Sequence, residues 1–180
     1  MYSFNLSNLV IAWDLDATLI DSSQRHRYNE NGDFDLDYWI EHAHKEEYVN
    51  KDTLLPLFGV YDSFRRAGYS QICVTARVMS PADYKYLEDH GLYFDKILHR
   101  GDSLELDHLL KSKSLQDYFN ADGKIPFMAF DDKQENLEVF DKFGFRTFHA
   151  EYLNRKISLD GSTMNSYGDI DFSPADFLEG

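Results

Sequence analysis

Five short apolar runs, bounded by turn signals and separated by helix-like stretches, constrain the fold of this chain more than any other feature. They occupy residues 9–13, 72–74, 97–98, 127–130 and 145–148. Runs this short, rich in β-branched and aromatic side chains, read as strands buried or half-buried in a sheet. Helix patterns fall between them: residues 52–67 stop at Gly68, residues 80–90 open on Ser80-Pro81 and stop at Gly91, and residues 103–119 and 133–143 follow, the last ending at Gly144. Cap, proline and glycine stand where helix starts and stops require them. Strand and helix alternate, which predicts an α/β fold: a doubly wound, Rossmann-like parallel sheet of about five strands with helices on both faces.

The alternation breaks once. The gap between the first and second strands exceeds what a single crossover needs. Residues 22–50 are therefore read as a small inserted cap over the carboxyl edge of the sheet, polar at Arg25, His26 and Arg27, turning at Asn31-Gly32-Asp33, then helical over residues 36–48. Residues 1–150 form the domain in this reading. Residues 151–180 are a C-terminal tail that loses its periodicity and is either part of the same domain or partly ordered, with Phe172, Phe177 and Leu178 as docking candidates.

With 180 residues and 43% hydrophobic content the chain can bury one core. Thirty-two acidic against 18 basic side chains leave a net charge of -14, which argues against extended duplex binding because a polyanion is repelled at long range. Screening confines that repulsion to roughly 8 Å, so one phosphate held by local cations stays compatible. The lone Cys73 lies in an apolar run and reads as a packing residue. No signal-peptide pattern opens the chain and no apolar run approaches a membrane span, so a cytoplasmic protein without membrane contact is expected.

Chemistry concentrates at the strand ends. Asp14 and Asp16 directly follow the first strand, and a period of two sends both carboxylates to one side. Asp131 and Asp132 follow the fourth. Either pair alone also suits a turn or a helix start. Together they converge on the edge where parallel sheets bind ligands. Two like charges 4 Å apart cost on the order of 4 kcal/mol at an effective dielectric of 20, so the cluster calls for a cation, and an all-oxygen set suits Mg2+. Thr75 closes the second strand with a hydroxyl donor, and Lys111 lies on the helix after the third.

The ordered set Asp14-Leu15-Asp16-Ala17-Thr18, then Thr75, Lys111 and Asp131-Asp132, resembles the haloacid dehalogenase (HAD) superfamily over residues 9–150, and the segment from Arg25 to Arg27, the Gly101-Asp102-Ser103 turn and the spacing from Asp107 to Lys111 most resemble the phosphatase domain of phage polynucleotide kinase. That resemblance implies a magnesium-dependent phosphomonoesterase. In it Asp14 is the nucleophile that forms an aspartyl-phosphate, and Asp16 is the acid and base. Thr75 and Lys111 hold the phosphoryl oxygens. The metal is held by the Asp14 side chain, the Asp16 carbonyl and Asp131, with Asp132 in support. Arg25, His26, Arg77 and Arg100 are the candidates for substrate binding. The implied substrate is a phosphorylated nucleic-acid end, a 3′-phosphate on DNA or RNA, or a phosphorylated small molecule such as a nucleotide. Ala17 departs from the family, which has Gly there, and Lys113 and Lys96 compete with Lys111. A receiver module of a signalling relay uses similar groups in another order, with its acidic pair on the first strand and its phospho-accepting Asp on the third. Here the third strand ends in His99-Arg100.

Overall fold

A computed structural model describes residues 5–33, 35–101, 103 and 105–159. A short 3-10 turn, Leu6–Asn8, leads into β1, Leu9–Trp13, whose five residues are all buried. β2, Ile20–Asp21, and β3, Thr53–Leu54, pair antiparallel through Ile20↔Leu54 and Asp21↔Thr53. Between these two strands lie a 3-10 turn, Ser23–Arg25, and two short helices, α1, Leu36–His42, and α2, Glu46–Val49. The chain then continues through α3, Leu57–Arg66; β4, Ser70–Val74; α4, Pro81–Asp89; and β5, Lys96–Leu98. It closes with α5, Asp107–Asp122; β6, Ile125–Asp131; α6, Gln134–Lys142; β7, Arg146–His149; and α7, Ala150–Leu159.

The main sheet has the order β5-β4-β1-β6-β7 with every pair parallel. β1 is central, which explains why its side chains are apolar on both faces. Ile11 and Trp13 pack with Tyr61 and Phe64 of α3 and with Ile157 of α7, whereas Val10 and Ala12 pack with Leu115 of α5 and Phe140 of α6. The strand period of two thus divides one sequence between two cores, and helices cover both faces as expected. α4 opens on a complete capping box, in which Ser80 and Asp83 satisfy each other's backbone groups.

Three local expectations are corrected. Residues 53–54 form a strand instead of the first turn of a helix, because Ile20 and Asp21 supply a ladder partner and Pro56 delays the helix. The helix expected over residues 36–48 is two helices, α1 ending at His42 and α2 starting at Glu46, with Lys45 in extended backbone between them. Residues 150–159 are helical rather than aperiodic. Ala150, Asn154 and Ile157 are buried there at helical spacing, with Leu153 partly so, and the polar Asn154 disguised the stripe. Its side chain accepts from the Leu57 N–H at 2.8 Å and donates to the Thr18 carbonyl at 3.0 Å, joining α3, α7 and the loop after β1. Phe172, Phe177 and Leu178, and Asp102 of the Gly101 turn, lie outside the described residues.

Candidate active site

Parallel pairing in register brings the functional strand ends together. Trp13 pairs with Cys73 on one side and with Phe130 on the other. The next residues are Asp14 and Asp131, with Thr75 two beyond Cys73, so all three collect at the carboxyl edge of the three central strands. The Asp14 N–H donates to the Phe130 carbonyl at 3.0 Å, which fixes the backbone of Asp14 as the strand ends. Asp14, Thr75 and Asp131 are all buried.

Lys111 reaches this point from α5. Its ammonium donates to Asp14 Oδ1 at 2.7 Å and to Asp131 Oδ2 at 2.6 Å, with 2% of the side chain exposed. Of the three lysines considered, Lys111 is the one brought to the carboxylates, while Lys113 and Lys96 are exposed. Burial alone would lower its pKa, but the two carboxylates raise it above that of a free lysine, so the ammonium is a fixed charge. The other Asp131 oxygen accepts from the Lys133 N–H and from Asn136 Nδ2, each at 2.9 Å. Asn136 went unnoticed in the sequence because an Asn in a first helical turn carries no distinguishing signal; the structure gives it the job of orienting Asp131.

Asp14, Asp131 and Asp132 each offer a carboxylate oxygen, and these atoms lie within 4.8 Å of one another. Burial, together with the Asp131 and Asp16 charges and against the pull of Lys111, raises the Asp14 carboxyl well above its usual range. Burial and Asp131 raise Asp132 too. Three carboxylates outnumber the Lys111 ammonium that Asp14 and Asp131 share, and hard oxygen ligands of this kind fit Mg2+.

Asp16 sits apart from this trio. Its carboxylate accepts from Arg77 Nη2 at 2.5 Å and Arg77 Nε at 3.2 Å, and also from Ser22 Oγ. Burial works against ionisation, but the Arg77 charge and its two hydrogen bonds outweigh it and hold the carboxyl well below the usual range. Thr75 Oγ1 accepts from the Arg77 N–H at 3.1 Å, leaving its own hydroxyl hydrogen available to a ligand.

The expected substrate-binding arginines turn inward. Arg25 is 1% exposed and donates to Asp52 through Nε at 2.8 Å and through Nη2, to the Ala43 carbonyl at 2.7 Å and to Asp83 at 3.2 Å. Arg77 shares Asp83 at 2.8 Å in addition to holding Asp16. The buried Asp52 and Asp83 therefore neutralise two arginines and tie the inserted segment to α4, a role only long-range contacts reveal. Arg100 donates to Asp107 at 2.6 Å and to the carbonyls of Ala76, Ser103 and Glu105, which fastens the start of α5, the helix that carries Lys111. His26 is exposed in the inserted segment.

The loop after Asp14 holds Ala17 at φ +57°, a left-handed conformation that costs a non-glycine residue roughly 1–2 kcal/mol. Ala17→Gly relieves this, partly offset by the greater unfolded-state freedom of Gly. The variant is expected to melt about 1–4 °C higher, measured by thermal denaturation; a lower melting temperature contradicts the strain.

Comparison with known proteins agrees with this geometry. The family model described as bacteriophage T5 5′-deoxynucleotidase matches residues 1–171. The 5′-deoxynucleotidase of Escherichia phage T5 is 31% identical, and the match covers 93% of this chain and 77% of that protein. Among solved structures, a HAD-superfamily hydrolase from Geobacter sulfurreducens superposes with a TM-score of 0.57 at 15% identity, over 82% of this chain and 90% of that one. A chain of the Pnkp1/Rnl/Hen1 RNA repair complex superposes with a TM-score of 0.54 at 17% identity, over 78% of this chain but only 42% of that one. At these identities the two structures speak for the fold alone. No described helix is long and apolar enough to cross a membrane. The chain has the fold of haloacid dehalogenase-like hydrolases and belongs to the bacteriophage T5 5′-deoxynucleotidase family.

Proposed function

We propose that the protein hydrolyses the 5′-phosphate of deoxynucleoside monophosphates through an aspartyl-phosphate on Asp14. The observation that carries this reading is the buried meeting of Asp14, Asp131 and Lys111 at the carboxyl edge of β1 and β6; the family supplies the substrate class. A free nucleotide replaces the polynucleotide end as the favoured substrate, which also suits a chain of net charge -14.

In the first step an Asp14 carboxylate oxygen attacks phosphorus, the bond from phosphorus to the nucleoside oxygen breaks, and that oxygen takes a proton from Asp16. In the second, water attacks the phosphorus, Asp16 takes its proton, and the bond to Asp14 breaks to release inorganic phosphate. The Arg77 pair keeps Asp16 ionised, as the second step needs. Protonation for the first step requires that pair to loosen around bound substrate. Thr75 and Lys111 donate to the phosphoryl oxygens, while Asn136 and Lys133 keep Asp131 aimed. Mg2+ held by Asp14 and Asp131, with the Asp16 carbonyl and Asp132, would supply charge neutralisation at the transferred phosphoryl group. In this reading residues 22–50 cap the site, and α7 belongs to the same domain.

A panel of deoxynucleoside 5′-monophosphates, their 3′-isomers, ribonucleotides and 3′-phosphorylated oligonucleotides, each with magnesium and with excess chelator, tests the reading. The 5′-deoxynucleotides are expected to have the highest kcat/KM, and chelator to abolish turnover. Chelator-resistant activity refutes the metal; better hydrolysis of oligonucleotide ends restores the polynucleotide reading.

A further inference from the structure

The inserted segment buries its central charge and presents rings. Arg25 is consumed by Asp52, Asp83 and the Ala43 carbonyl. The neighbouring residue, His26, is exposed, and its ring faces the half-buried Trp39 of α1 at a centroid distance of 5.3 Å and an interplanar angle of 57°. A second group of rings stiffens the segment: Tyr38 stacks on His42 at 4.2 Å, Tyr48 meets both edge-on, and Arg27 covers Tyr38 at 5.1 Å.

These rings hold a fixed relation to the catalytic carboxylates. Ser22 donates to Asp16, and three residues later Arg25 grips Asp83, which also accepts from Arg77, the residue paired with Asp16. A closed ring of hydrogen bonds therefore runs from Asp16 through Arg77 and Asp83 to Arg25, and back along the chain through Ser22. His26 is the next residue along the chain beyond this ring.

We propose that His26 and Trp39 form the stacking site for the nucleobase of the substrate, resting on the nucleotide reading above. A strongly acidic protein gains little from long-range attraction of a nucleotide. The π-face of a base is uncharged, and stacking on an aromatic ring works without electrostatic help and with little preference among bases. The ion-pair ring then ties the segment that carries the base site to Asp16.

The test compares deoxynucleoside 5′-monophosphates with deoxyribose 5-phosphate, which keeps the sugar and phosphate and lacks the base, in wild type, Trp39→Ala, Trp39→Phe and His26→Ala. In Trp39→Ala, KM for the nucleotides is expected to rise about 5- to 100-fold more than KM for the base-free ester. Trp39→Phe should recover most of the loss, and the exposed His26→Ala should shift KM in the same direction without endangering the fold. Equal losses on both esters mean that Trp39 only supports the fold and overturn the proposal. Wild-type preference for nucleotides that survives both alanine variants overturns it while leaving the nucleotidase reading intact. A wild type that does not prefer nucleotides over deoxyribose 5-phosphate overturns both.

Discussion

Asp14→Asn is expected to lose at least about 10³-fold in kcat, because in the proposed mechanism an amide cannot form the acyl-phosphate bond and no neighbouring group takes over the attack. The site permits this substitution without collapse. Asp14 is a buried carboxylate whose desolvation and acidic neighbours disfavour its charge, with Lys111 as its compensation. Asparagine keeps the shape and an acceptor oxygen for Lys111, and Lys111 retains Asp131 at 2.6 Å. A melting temperature within a few degrees of wild type accompanies the loss of turnover. Single-turnover measurements with radiolabelled substrate check the chemistry: wild type is expected to pass through a phosphorylated protein, and Asp14→Asn is not. Near-normal turnover in this variant would falsify the covalent mechanism.

Asp16→Asn is the second large effect, a loss of roughly 10²- to 10⁴-fold in kcat, the usual contribution of a positioned acid or base. Its size depends on the substrate. Alkoxide leaving groups such as a nucleoside oxygen need the proton, so the full loss appears there; a nitrophenolate leaves without one, so the first step recovers and only the attack by water remains slow. A burst of nitrophenol followed by slow turnover is the expected signature, and equal impairment on both esters contradicts the assignment. The acid limb of stability moves as well. The Arg77 pair lowers the Asp16 pKa, so its contribution to folding is fully present above the unfolded carboxyl pKa of about 3.9 and is lost as pH falls toward the lower folded value. Asp16→Asn removes that contribution at neutral pH, and its melting temperature should therefore approach that of wild type as the solution is acidified.

Much of the molecule was legible in one dimension, for reasons that are local. Residues 9–13 are apolar on successive positions because β1 is central and covered on both faces, and a stretch like that has few alternatives in a folded chain. Ser80, Gly68, Gly91 and Gly144 set helix ends through their own backbone preferences, with the three glycines at positive φ. Asp14 and Asp16 stood out because a buried strand has no structural use for two adjoining carboxylates, and the ordered set of motifs extended that inference to Thr75, Lys111 and Asp131.

The rest was decided by contacts between residues far apart in sequence. The choice of Lys111 over Lys113 rests on which side of α5 meets the sheet, and its bond to Asp14 spans 97 positions. Residues 53–54 became a strand because Ile20 and Asp21 offered a ladder, and a strand of two residues has no signature of its own. Arg25 looked like a handle for substrate because a charged side chain in a polar insertion is normally solvated. Its burial depends on Asp52, 27 residues away, and Asp83, 58 residues away, arriving with carboxylates at the same point. Local sequence dictates backbone preference and the alternation of apolar and polar faces, whereas the direction in which a long charged side chain turns is set by where its counter-charge lies in space, which here only the folded chain determined.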